Sequence, residues 1–215
     1  MSNQLRNEGY NVGRYRVRTL MNKAGVSVKC RKKFKRTTDS KHKLPVAPNL
    51  LNRRFEVELP NTVWCADITY LWTLQGWLYL AVVIDLYSRK VAGWAMSNYL
   101  KASLVKDALS MACWRRRPDK GLIHHSNRGS QYAGGEYQNL LKQHGMICSM
   151  SRKGNCWDNA VVESFFHSLK TKWIVDIIYQ TRDEAISDVI KYIVVIDSGS
   201  LPFLAPLHVL SILNG

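Results

Sequence analysis

An α/β fold built on a mixed sheet is predicted by three features of this chain. NTVWCADITYLWT (61–73) alternates in polarity and is rich in β-branched and aromatic residues, the period-two pattern of a strand. GWLYLAVVIDLYS (76–88) is almost continuously apolar, as a strand buried on both faces requires. Helical spacing then takes over in KASLVKDALSMACWRRR (101–117), where Leu104, Val105, Ala108, Leu109 and Ala112 share one side. The 215 residues suffice for one sizeable α/β domain with a small appendage. A hydrophobic content of 46% suits a packed globule, not a disordered chain.

Four segments follow from the N-terminus. Residues 1–27 read as part of a small helical unit: NVGRYRVRTLMNKAG sets Val12, Val17, Leu20 and Met21 inward among arginines, with Gly25 as the stop. Arg14, Arg16 and Arg18 then face solvent. This unit is either the remaining half of a helix-turn-helix-like module or a lone basic helix. Residues 28–60 are a basic linker broken by Pro45, Pro48 and Pro60, with little regular structure expected. Residues 61–192 are the main domain. Its first two strands are joined by the turn TLQG and followed by a third, RKVAGWAMS (89–97), a tight antiparallel meander. The helix at 101–117 comes next, then the strand GLIHHS (121–126), a short helix ending at Gly145 and the strand MICSMS (146–151). DNAVVESFFHSLKTKW (158–173) closes the series as one long amphipathic helix, with Val162, Phe165, Phe166, Leu169 and Trp173 on its buried face. The order βββαβαβα is that of the ribonuclease H-like fold, although the pattern alone requires only a mixed sheet. Residues 193–215 are an atypical apolar tail.

A net charge of +15 and a pI near 9.8 point to a polyanionic partner, nucleic acid first and an anionic membrane surface second. Residues 1–60 hold 15 Lys+Arg against 4 Asp+Glu, densest in KCRKKFKR (29–36). Lys32, Lys33, Lys35 and Arg36 there suit salt-sensitive contacts to DNA phosphates. The five cysteines form no CxxC pair and no signal peptide opens the chain, so free thiols in a reducing cytoplasm are expected. The spacing of His124, His125 and Cys156 fits no common zinc site. No apolar run reaches the roughly 18 residues of a membrane span, so no membrane partner is expected.

Acids are scarce, which makes their positions informative. Asp67 lies mid-strand in WCADITY, where a carboxylate is costly unless it is paired with a cation or holds a metal; both readings stand. Glu163, His167 and Lys170 follow one border of the last helix's buried face, which alone is equally an exposed helix with a weak charge network. Asn127 stands at a strand end followed by a polar turn, a common place for a metal ligand. Asp85, at another strand end, is the competing acid and could equally cap a turn.

Together, WCADITY, HHSNRGSQY and KGNCWDNAVVESFFHSLKTKW resemble the three motif blocks of the insertion-sequence transposases of the IS3 type, within the retroviral integrase or DDE superfamily. Thirty-five residues separate Asn127 from Glu163, the family's D(35)E interval. PVAPNLLNRRF and GLIHHS are similar to the family as well, and the resemblance runs from about residue 5 to about residue 192. It implies a ribonuclease H-like catalytic core in which three carboxylates hold two divalent metals, normally Mg²⁺ with Mn²⁺ possible. It also implies phosphodiester hydrolysis at transposon ends followed by strand transfer, on DNA as partner, with self-association on that DNA possible. The bacterial cytoplasm, at the nucleoid, is the implied location. Position by position, Asp67 is the first metal ligand and catalytic acid, Asn127 occupies the second place and Glu163 the third. Lys170 matches a basic residue that contacts the transposon end, and Lys153 opens the third block as a further DNA-binding candidate.

The chain departs from the family in three ways. Asn127 replaces an aspartate, so the site holds two negative charges where the family has three, and the cost to catalysis is expected to be large. After Lys191 no Lys or Arg remains, and a frameshift near codons 193–197 is expected, with a genuine apolar association tail as the alternative. Met1 enters partway through the family's DNA-binding region, so impaired recognition of transposon ends is expected. The chain reads as either a transposase or a catalytically inactive remnant that only binds DNA.

Overall fold

The computed structural model describes residues 2–25 and 42–198. Lys32, Lys33, Lys35 and Arg36, and the tail from residue 199 onward, lie outside the described residues.

The chain divides into two compact units, 1–37 and 38–215. The first contains two helices, α1 (Ser2–Asn7) and α2 (Arg14–Lys23), joined by a turn through Gly9. Gly25, in the left-handed region, follows α2, consistent with its reading as a stop. Val17 is buried, but Leu20 is half exposed, contrary to the expectation that it faces inward. A ten-residue helix beside a six-residue one offers too little apolar surface to cover both.

The second unit is a five-stranded sheet in the order β3-β2-β1-β4-β5. Strands β1 (Val63–Thr73), β2 (Gly76–Asp85) and β3 (Val91–Ser97) form the antiparallel meander, with Trp72 opposite Trp77 and Asp67 opposite Val82. β4 (Ile123–Ser126) and β5 (Ile147–Met150) add in parallel on the other side of β1. β1 and β2 are therefore central, which is why β2 needs its long apolar run: Leu80 to Leu86 are all buried. One face of the sheet is covered by α3 (Ala102–Arg116), α4 (Ser130–Ala133) and α5 (Gly135–Gln143). The other is covered by α6 (Ala160–Ser168) and α7 (Arg182–Asp197), through Val162, Phe165, Val189 and Ile193.

The helix predicted over 158–173 is not one regular helix. A 3-10 turn (Cys156–Asn159) leads into α6, and a π turn (Leu169–Trp173) ends it. The wider turn keeps Leu169 fully buried and Trp173 packed near Tyr192. α7 starts on a capping box between Thr181 and Glu184. It runs through the expected seam at 193–197, where Ile193 and Ile196 are buried and Asp197 accepts from the Val91 N–H at 3.1 Å and pairs with Arg115 at 3.5 Å.

Residues 45–60 contain no regular element, but two anchors fix part of them to the sheet. Ser149 Oγ accepts from the Leu50 N–H at 2.9 Å. The fully buried Asp158 accepts from Asn49 Nδ2 at 2.9 Å and Arg53 Nε at 3.0 Å.

Candidate active site

Asp67 sits in the middle of β1, paired with Val82 of β2 and one residue past the end of the ladder with β4. Its side-chain partners are neutral. Oδ1 accepts from the Ile68 N–H at 2.8 Å and from the amide of Asn127. The Asn159 amide donates toward the same carboxyl and also to the Ala66 carbonyl, at 3.1 Å. A carboxylate so buried and met only by dipoles resists ionisation, and burial pushes it up to about 6 in spite of these donors. Among the described residues no cation pairs with Asp67.

Asn127 follows directly on β4, whose parallel pairing with β1 sets Ser126 beside Ala66 and so brings residue 127 to Asp67. Its amide is used at both ends: the nitrogen donates to Asp67, and the oxygen accepts from the Gly129 N–H at 2.7 Å. Turning the amide over would break both bonds, because a carboxylate cannot donate and an N–H cannot accept. The orientation is thus fixed by its neighbours.

Glu163 lies in the first turn of α6 and is exposed. Desolvation of its carboxyl, and then the nearby Asp67 charge, push it up to about 7. The two acids are near enough for the Asp67 charge to act on Glu163, and no group of three or more His, Cys, Asp or Glu side chains able to hold a metal is formed among the described residues. Lys170 lies seven residues beyond Glu163. The π turn redirects it, and its ammonium rests over the Tyr70 ring, 4.7 Å from the centroid, where burial lowers its pKa. His167 stays exposed on α6.

The two histidines before Asn127 belong to the core. His124 is fully buried against the Tyr137 hydroxyl at 2.9 Å, and burial lowers it to about 3. His125 lies between Ser149 Oγ (2.9 Å) and Ser151 Oγ (3.2 Å), and burial lowers it to about 4. Asp85 caps a turn, accepting from the Asn61 and Ser88 backbone N–H groups and the Ser88 hydroxyl. Arg14, Arg16 and Arg18 are exposed on α2, and Lys153 is exposed in the loop after β5.

Sequence reasoning passed over Asp158 and Asn159. Asp158 accepts from the Arg152 N–H, Nε and Nη2 at 2.8, 2.9 and 2.7 Å in addition to Arg53 and Asn49. The Arg152 contacts hold it far below the usual carboxylate range. It therefore ties the linker and the β5 loop to the start of the helix that carries Glu163. The available signal was an acid–amide pair just before a helix, which reads equally as an ordinary cap.

The donor set accommodates a cation only in part. Asp67 and Glu163 are two electrostatically coupled carboxylates whose raised pKa values a positive ion would relieve. Asn159 Oδ1 is buried without a hydrogen-bond partner, so a spare acceptor exists nearby. Asn127 presents its NH₂, not its oxygen, to Asp67.

A central strand carrying a carboxylate, a parallel strand ending beside it and a helix bringing a second carboxylate are the arrangement of an integrase-type core. The integrase core domain family matches residues 57–156, and the HTH-like domain family matches residues 1–34. The chain is 46% identical over 193 residues to the insertion element IS600 uncharacterized 31 kDa protein of Shigella sonnei, covering 90% of this chain and 71% of that protein. It is equally similar, at 46% over 90% of the chain and 67% of the relative, to the transposase InsF for insertion sequence IS3A of Escherichia coli strain K12. In fold it is similar to a chain of the simian T-cell lymphotropic virus intasome in complex with PP2A regulatory subunit B56 gamma, with a TM-score of 0.51 and 21% identity over 65% of this chain and 47% of that one. The chain belongs to the IS3-family transposases, with an integrase core and an HTH-like segment, and its function is DNA transposition.

Proposed function

We propose that this transposase works on DNA through a centre formed by Asp67, Asn127 and Glu163, and that the amide at position 127 leaves it a competent DNA binder and a poor DNA nuclease and strand transferase. The orientation of Asn127 carries this reading. An aspartate there would add a third negative oxygen to the centre. The amide instead spends its NH₂ on Asp67 and its oxygen on Gly129.

When bound, a divalent metal, Mg²⁺ by family resemblance or Mn²⁺ in its place, supplies Lewis-acid polarisation and neutralises charge on the phosphate. Asp67 and Glu163 would hold it. The Ile68 N–H and the Asn159 amide orient the Asp67 carboxyl, and the Asp158 anchor fixes the helix from which Glu163 projects. Lys170 would meet a phosphate of the transposon end. Arg14, Arg16 and Arg18, together with Lys32, Lys33, Lys35, Arg36 and Lys153, would neutralise further phosphates, so binding falls steeply with salt. In this scheme residues 1–27 and the linker 28–60 serve DNA binding, and residues 61–192 form the catalytic core. Self-association occurs on DNA, in the cytoplasm at the nucleoid.

Relative to a centre with three acids, the loss in rate is about a thousandfold or more, roughly 4 kcal/mol of barrier. A strand-transfer assay in Mg²⁺ or Mn²⁺, comparing the native chain with Asn127→Asp, tests the reading. The substitution should restore activity. Equal and robust activity in both proteins refutes it. Salt-dependent DNA binding with no activity in either protein favours a chain that only binds.

A further inference from the structure

The β1–β2 hairpin carries a row of aromatic rings that begins at the active-site lysine. Lys170 Nζ stands 4.7 Å from the Tyr70 ring centroid. Tyr70 meets Trp77 edge to face at 5.0 Å, and Trp77 meets Trp72 in the same way at 4.7 Å. Trp72 ends the row with half of its surface, 51%, in solvent. Among the described residues no carboxylate pairs with Lys170, so its charge is open to an outside anion.

We propose that this row is a binding site for the unpaired nucleotides of single-stranded DNA, with the phosphate at Lys170 and a base stacked on Trp72. The proposal rests on the DNA-acting reading above and extends it to a subsite. Three observations favour this ligand. Tyr70 and Trp72 leave β1 on the face opposite Asp67, and the row meets the candidate centre through Lys170, seven residues beyond Glu163. A cation at one end and open aromatic surface beyond it is the combination that holds a nucleotide strand, with the charge on the backbone and the rings on the bases. A duplex buries its base faces in its own stack, so only unpaired bases can use such a surface. A cross-strand pair serving the hairpin alone needs ring-to-ring contact. It needs neither the half-exposed outer tryptophan nor the ammonium over the inner ring.

The test compares the full chain on a blunt DNA duplex with the same duplex carrying about five unpaired thymines at one 3′ end. Native protein should bind the extended DNA about fivefold or more tightly. Trp72→Leu should abolish that preference and leave blunt-duplex affinity unchanged, which also shows that the variant is folded. Trp72→Phe, which keeps a ring, should restore most of the preference. With 5-iodouracil in the extension, irradiation should cross-link the strand to Trp72 or Tyr70. A preference that survives in Trp72→Leu, cross-links that map elsewhere, or equal binding of both DNAs by native protein each overturn the proposal and leave the DNA-acting reading standing. Failure of native protein to bind either DNA overturns both.

Discussion

Replacing Asn127 by aspartate should make the protein's stability depend on a divalent metal. The amide now gives Asp67 a charge-assisted hydrogen bond, worth about 1.5–3 kcal/mol. Asn127→Asp removes that donor and adds a negative charge beside Asp67 and Glu163, while a carboxylate oxygen can still accept from the Gly129 N–H. At pH 8 both existing acids are largely ionised, because their pKa values are about 6 and about 7. The variant should then lose about 2–4 kcal/mol in the absence of metal. For a chain of this size that corresponds to a fall in Tm of about 5–15 °C. A divalent ion at a hundred times its Kd returns about 2.7 kcal/mol. Thermal melts of both proteins in EDTA and in excess Mg²⁺ measure these shifts. The native chain should respond weakly to Mg²⁺, because its third position presents an NH₂ group. A variant as stable as native in EDTA, or a native chain that gains as much from Mg²⁺ as the variant does, would refute the reasoning.

Three further outcomes are expected. Gly93→Ala should destabilise the core by about 3 kcal/mol or more, since a Cβ there would lie 2.3 Å from the Ala108 carbonyl oxygen and 2.4 Å from Ala112 N; chemical denaturation measures it, and a loss under about 1 kcal/mol would show that α3 shifts easily. Asp158→Ala should cost about 2–4 kcal/mol and raise the hydrogen-exchange rate of residues 49–53 and of the first turn of α6, because both are tied to that one buried carboxylate; unchanged exchange would show that the linker is held by other contacts. His124 and His125 have folded-state pKa values of about 3 and about 4, below the unfolded value, so the stability of each neutral ring is present above about pH 6.5 and lost as pH falls toward 4. Asp67 and Glu163, raised in the folded state, oppose this by binding protons over the same range. Native Tm should therefore change little from pH 7 to pH 5, and Glu163→Gln, which lacks one of the opposing acids, should lose Tm over that range; a flat profile in the variant would contradict the assignment.

Local pattern made the sheet legible. Alternation in 61–73 and the apolar run of 76–88 reflect one-sided and two-sided burial, both of which act on neighbouring residues. The same rule failed at 158–173. Period alone predicts one helix there, but the chain ends it with a π turn over Leu169–Trp173, where Leu169 is buried and Trp173 packs against Tyr192 of α7. Leu20 was misplaced for the opposite reason: an apolar residue at helical spacing has nothing to bury against when the unit around it is small. At the candidate site, residue types and the Asn127–Glu163 interval were readable from the chain, and the hydrogen bonds among them were not. The role of Asp158 as a tie to the linker was not readable because Asn49 and Arg53 stand 109 and 105 residues earlier.

By itself the sequence determined the kind of fold, the family to which the chain belongs and the amide at position 127, because these are properties of residue identity, order and spacing. Tertiary structure alone decided what that amide does. The parallel pairing of β1 with β4 sets Asn127 against Asp67, and the Gly129 N–H fixes which end of the amide faces the acid. It likewise decided that His124 and His125 are core residues and that Lys170 lies over Tyr70. The physical reason is the same in each case: burial, and the direction of a hydrogen bond, are set by groups far away in the chain that only folding brings within reach.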